Sequence, residues 1–194
     1  MSDSIPTQDQ ILACAQSLIE RGGYNGFSYA DIAATVGIRK ASIHYHFPAK
    51  ADLVRVLVEG YRKAAEASAG AFAASGMGPV EQLRAYTDYW AKCIQEGARP
   101  YCLCAMLASE LPVLPLEVAA EVRKYFTVLS GWLETTLAQG AASGVLRLLD
   151  TPKIEAEVLM ATVHGAMLSA RAEGDARVFE MVTDAWLRRL SDQG

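Results

Sequence analysis

The chain has 194 residues, a formal net charge of −4 and a hydrophobic fraction of 52%. That is enough for one sizeable core, or for a small domain docked on a larger one, and too apolar for a disordered chain. No segment approaches the ~20 uninterrupted apolar residues of a membrane span and residues 1–10 are polar, so neither a span nor a secretory leader is expected, and the expected location is cytoplasmic. Cys14, Cys93, Cys102 and Cys104 follow neither a disulfide framework nor a zinc spacing, and no cofactor or metal is expected.

A first helix is expected from Thr7 to Arg21, with Ile11, Leu12, Ala15, Leu18 and Ile19 on one face and Gly22-Gly23 ending it. Ser28 and Asp31 stand at capping-box spacing and open a second helix that buries Ile32, Ala33 and Val36. Gly37 suits the left-handed conformation that stops it. The third helix needs only Ile43 and Phe47 inward. Lys40, Ala41, Ser42, His44, Tyr45 and His46 are then left mainly outward, an arrangement suited to a phosphate-lined groove. These elements predict a helix-turn-helix DNA reader.

After Pro48 a long helix is expected with Leu53, Val54, Leu57, Val58 and Tyr61 in one stripe, thinning to small residues through Ala74; Ser75 to Pro79 is the first clear loop. Further helices are expected at about Pro79–Glu96, Pro100–Leu111, Leu116–Ala141 and Ala176–Ser191. Thr151 and Pro152, a cap followed by an N1 proline, open one more that runs to about Glu173. No strand-period run competes. The expectation is an all-α fold of about nine helices: an N-terminal three-helix DNA-binding domain over 1–50 and a larger helical ligand-binding and dimerisation domain over 51–194.

The net charge argues against nucleic acid only until it is read locally. Between Gly37 and Arg55 stand Arg39, Lys40, Lys50 and Arg55 against the single acid Asp52, while the acids gather later in the chain. A basic foot on an acidic body is compatible with DNA binding when two feet act together, and the acidity lowers non-specific retention.

The segment from Ser28 to Leu53 resembles the TetR family of one-component transcriptional repressors. The family pattern appears as Ile32-Ala33, Gly37-Ile38, Tyr45-His46-Phe47, and Lys50 with Leu53. It departs at Arg39, where a Ser cap is common, at His44, where Tyr is common, and at Ala49, where Ser is usual. Lys40, Tyr45, His46 and Lys50 are the expected phosphate contacts, and Arg39, Ala41, Ser42 and His44 the expected base-edge readers. Tyr29 and Thr35 are secondary backbone contacts. His46 alternatively ties the reader to the fourth helix.

The resemblance implies a homodimer built on the last two helices, for which Ala161, Gly165, Phe179, Val182, Trp186 and Leu190 are the candidates. One short helix cannot supply enough contacts for specific binding, so two must sit about 34–36 Å apart. The resemblance also implies a small-molecule effector. Tyr86, Tyr89, Trp90, Cys102, Met106, Tyr125, Phe126, Trp132, Met160, His164 and Met167 are the candidate lining, although aromatics at helical spacing equally make a core. His164 is either a satisfied core residue or a polar anchor for ligand; Arg99, Glu110 and Arg171 are candidates for a ligand's polar end.

Some family members sense electrophiles or oxidants through the cysteine of Gly-Cys-Leu-x-x-x-Leu-x-x-Glu. This chain carries Tyr101-Cys102-Leu103-Cys104 followed by Glu110. Arg99 and a helix start at Pro100 are the features that would lower a thiol's pKa there.

The resulting expectation is a ligand-responsive dimeric repressor, not an enzyme, released from a pseudo-palindromic operator by a small, largely apolar or aromatic effector. A thiol switch through Cys102 or Cys104 and, further off, a non-DNA small-molecule carrier are the alternatives. No paired carboxylates with a base, Ser/His/Asp set or phosphate-cradling glycine loop supports an enzyme.

Overall fold

The computed structural model describes residues 7–97, 99 and 101–191, which form nine α-helices and one short 3-10 turn. These are α1 (Thr7–Gly22), α2 (Tyr29–Val36), α3 (Lys40–His46), α4 (Lys50–Ala74), α5 (Pro79–Gln95), α6 (Leu103–Ser109), α7 (Leu116–Ala142), α8 (Pro152–Glu173) and α9 (Arg177–Ser191). Among the described residues no helix is long and apolar enough to cross a membrane.

Capping chemistry places most of these boundaries. At α2 the Ser28 hydroxyl accepts the Ala30 N–H at 3.2 Å, and the Asp31 carboxylate accepts the Ser28 N–H at 2.7 Å. Gly37 ends the helix at φ 76°, turning its N–H back to Ala33. Arg39 contributes no side-chain cap to α3. At the start of α4 the Asp52 carboxylate accepts the Ala49 N–H at 3.1 Å, so half of a capping box survives the alanine. Thr151 caps α8 through the Ile154 N–H, with Pro152 at its first position, and Gly174 closes it at φ 68°.

The short helix expected from Pro100 is smaller. Its expected start lies outside the described residues. Cys102 is extended and serves as N-cap, and α6 gives way to the 3-10 turn Leu111–Val113. Pro112 and Pro115 lack the N–H groups that would carry the helix onward.

The chain divides into two compact units. The first holds the chain up to Lys63 together with Cys102–Tyr125. Ile11, Ala15, Ile19, Ile32, Ile43, Phe47, Leu53 and Val54 are buried in it, and α6 packs against α1 and buries Leu103 and Leu107. The expected domain boundary at 50/51 falls at the first residues of α4, whereas the compact unit continues to Lys63 and takes in α6.

The second unit holds Ala64–Tyr101 and the chain from Phe126 onward. In it α9 packs against both α8 and α5. Phe179, Leu83, Leu133, Leu137 and Leu159 are fully buried there, each worth roughly 1.5–3 kcal/mol relative to exposure.

Candidate functional site

The reader is an eight-residue helix, a glycine turn and a seven-residue helix. Ile43 and Phe47 bury one face of α3, which leaves Arg39, Lys40, Ala41, His44 and Tyr45 exposed and Ser42 and His46 partly so. Tyr45 is 85% exposed, a large aromatic spent on no core. The basic, donor-rich stripe expected of α3 is therefore present on a surface.

Several expected contacts are held by the protein itself. Lys50 is the clearest case. Its ammonium donates to the Phe27 carbonyl and lies over the Phe27 ring, 4.0 Å from the centroid, and the Tyr24 ring, at 4.8 Å. Partial burial pushes its pKa down, while the Glu110 and Asp31 carboxylates pull it up. Lys50 thus ties the start of α4 to the α1–α2 connection.

Tyr29 is likewise engaged, its hydroxyl donating to the Phe47 carbonyl at 2.9 Å, and burial pushes its pKa up to about 12. The Thr35 hydroxyl donates to the Asp31 carbonyl at 2.9 Å, although the residue stays exposed. The His46 ring lies edge-on to Tyr45 and tilted against Phe47.

Glu110, considered for a ligand's polar end, belongs to the reader's support instead. Its Oε2 accepts the Tyr24 N–H at 2.6 Å. It lies so close over Gly23 that a Cβ there would come within 2.5 Å of it. Sequence reasoning missed this tie because the two segments lie 86 residues apart; the signal was the Gly22-Gly23 pair, read only as a helix stop.

The candidate ligand-lining residues fall in both units. Cys102, Met106 and Tyr125 fall in the first unit, the other candidates in the second. Cys102 is fully buried between two phenols, accepting from Tyr61 at 3.7 Å and donating to Tyr125 at 3.6 Å. Burial pushes the Cys102 thiol up and the Cys104 thiol well up, the reverse of what a reactive thiolate needs.

In the second unit Trp132 stacks on Phe72, with centroids 5.5 Å apart, and meets Tyr86 edge-on at 5.4 Å. Its buried Nε1–H has no hydrogen-bond partner among the described residues. Trp90 and Met167 are core residues, and Met160 is buried too. Tyr89 is 48% exposed and its hydroxyl accepts from Arg99 at 3.4 Å, so it is no interior lining residue. Arg171 lies over the Tyr101 ring, 5.7 Å from its centroid.

Phe126 and Met160 do border a cleft of about 420 Å³ between α7 and α8, but its other walls are polar. There Ser130 accepts from Lys153 at 3.0 Å and donates to Glu157 at 2.7 Å. His164 meets Phe126 edge-on at 5.5 Å; its Nε2 is buried without a partner among the described residues, and burial pulls its pKa down to about 4.

The dimer candidates differ in exposure. Phe179 is 0% exposed, and Trp186 and Leu190 are buried in the unit's own core. Val182 is partly exposed, and Ala161 and Gly165 are exposed. These two continue an apolar stripe on α8 through Ile154, Val158 and Leu168, the last 57% exposed, with Met181 of α9 at 63%.

Two family models match the chain. That of the bacterial regulatory proteins of the tetR family covers residues 11–57, and that of the tetracyclin repressor-like C-terminal domain covers 79–186. A TetR-family transcriptional regulator of known structure from Agrobacterium tumefaciens is 55% identical, with 95% of this chain and 97% of that one covered and a TM-score of 0.92. A TetR transcriptional regulator from Legionella pneumophila is 28% identical, with 97% and 99% covered and a TM-score of 0.87. The biofilm operon icaADBC negative transcriptional regulator IcaR of Staphylococcus epidermidis is 38% identical over 52 residues, which span 27% of this chain and 28% of that protein.

Proposed function

We propose that this chain, which belongs to the TetR family of bacterial transcriptional regulators, acts as a homodimeric, ligand-responsive repressor. The observation that carries the reading is the exposed face of α3, Arg39 through Tyr45, mounted on a capped helix-turn-helix whose inward face is sealed by Ile43 and Phe47. Residues 1–50 are assigned to DNA binding and 51–194 to dimerisation and effector binding, with α6 riding on the first part. Lys40, Tyr45 and His46 contact phosphates, and Arg39, Ala41, Ser42 and His44 face base edges. The protein acts in the cytoplasm, on double-stranded DNA.

Two copies associate through the apolar stripe of Val158, Ala161, Gly165 and Leu168 on α8 with Met181 and Val182 on α9. The small residues let helices approach closely, and the large exposed ones lose water on contact. A dimer sets two α3 helices in successive major grooves of a pseudo-palindrome. Repression is supported by the negative transcriptional regulator IcaR, which is 38% identical to this chain over 52 residues.

The effector is a small, largely apolar or aromatic molecule held by the second unit, where Phe72, Tyr86 and Trp132 offer aromatic faces and the Trp132 Nε1–H offers a donor. It shifts the population between two spacings of the readers and needs only different affinity for the two.

The test is a mobility shift on the DNA upstream of the protein's own gene, with native protein and with a Lys40→Ala, Tyr45→Ala variant. A specific shift that the variant loses supports the reading. No specific shift at low salt from a folded dimer overturns it and favours a carrier.

A further inference from the structure

The exposed imidazole of α3 is oriented by two neighbours. His44 Nδ1 lies 3.3 Å from the Pro48 carbonyl oxygen. A carbonyl only accepts, so Nδ1 carries the proton. The ring is also braced edge-on by Tyr29, with centroids 4.8 Å apart and planes at 65°. Tyr29 is in turn pinned by its hydroxyl to the Phe47 carbonyl at 2.9 Å. Two elements thus hold the ring before any DNA arrives, and the residue is exposed.

With the proton on Nδ1, the outer nitrogen Nε2 of the neutral ring is a lone-pair acceptor. A phosphate oxygen, itself an acceptor, does not satisfy it. In the major groove guanine offers N7 and O6 and thymine O4, all acceptors; only the N6 amino group of adenine and the N4 amino group of cytosine donate. We propose that His44 is a specificity-determining residue that reads an exocyclic amino group, selecting adenine or cytosine at one position of each half-site. This rests on the DNA-binding reading above. It also gives a chemical consequence to the departure at this position: a tyrosine hydroxyl there would donate to a phosphate, whereas this histidine does not.

The experiment is selection of bound sequences from a randomised duplex pool at pH 8, followed by affinity measurements on the selected site. At one position per half-site the native protein is expected to prefer adenine or cytosine. Replacing that base by purine or 2-pyrimidinone, which lack the amino group, is expected to lower affinity roughly three- to tenfold, the worth of one hydrogen bond. A folded His44→Phe protein is expected to bind the natural and the amino-deleted sites equally.

Three outcomes overturn the proposal. One is a His44-dependent preference for guanine or thymine. Another is a His44→Phe loss spread evenly over all sequences, which marks a phosphate contact. The third is amino-group sensitivity at no position of the half-site. Failure to select any sequence overturns the regulator reading as well, so the two failures are distinguishable. The base analogues need no protein variant, so the amino-group arm stands even if His44→Phe misfolds.

Discussion

Glu110 at the end of α6 accepts the backbone N–H of Tyr24 at 2.6 Å, with its carboxylate in the space above Gly23 that a side chain would fill. The helix carrying Glu110 is therefore a brace for the α1–α2 connection of the reader. Glu110→Ala leaves that N–H unsatisfied and is expected to cost about 1–3 kcal/mol. Gly23→Ala is expected to cost a similar amount, because φ at residue 23 is 74° and the new methyl meets the carboxylate. Thermal or denaturant unfolding of the two variants measures both losses; an unchanged midpoint would refute the brace.

Lys50 and Lys40 are both cations beside the reader, but Lys40 is exposed whereas the Lys50 ammonium is held on the Phe27 carbonyl and over the Phe27 and Tyr24 rings. Lys40→Ala is expected to weaken binding on all sequences and to reduce the slope of log K against log salt by about 1. Lys50→Met is expected to lower stability and leave that slope unchanged, since its ammonium stays on the Phe27 carbonyl and the Tyr24 and Phe27 rings. Salt titrations of operator binding separate the two.

His164 predicts a pH dependence. Its pKa is pulled from 6.5 to about 4 in the folded protein because burial penalises the charged ring. Between those values the unfolded chain binds more protons than the folded one, so stability falls as the pH is lowered through that window. The contribution reaches about 3 kcal/mol at most, from 1.36 kcal/mol for each pH unit. His164→Leu is expected to flatten stability between pH 6.5 and 4. A native protein equally stable at both ends would contradict the assignment.

Core and surface on α8 and α9 are expected to fail differently. Phe179→Ala, at a fully buried ring, is expected to cost about 3–5 kcal/mol. Leu168→Arg is expected to leave the fold intact and split the dimer, as seen by sedimentation alongside circular dichroism. A dimer unaffected by Leu168→Arg would move the interface elsewhere.

Cys102→Ser is expected to change stability and not to alter any response of DNA binding to peroxide, because the thiol is fully buried between Tyr61 and Tyr125. Oxidant-dependent binding lost in this variant would restore the thiol-switch alternative.

The amino-acid sequence by itself determined the helices and the reader. Ser28, Gly37, Thr151 and Pro152 act on backbone groups within a few residues of themselves, and the spacing of Ile43 and Phe47 chose which face of α3 turns outward. Such short-range chemistry is legible in one dimension. Tertiary structure alone decided what long side chains reach. Lys50 found a carbonyl 23 residues away, and Glu110 found an amide 86 residues away. On α9, periodicity showed that Phe179, Trp186 and Leu190 share an apolar face, but whether that face meets the chain's own core or a second chain depends on which helix packs against it. The buried side met α8 and α5, and the stripe left exposed is the one carrying Ala161, Gly165 and Leu168. Burial likewise weighs against the thiol-switch alternative at Cys102, since the desolvation that raises a thiol's pKa is set by packing and not by the residues beside it in the chain.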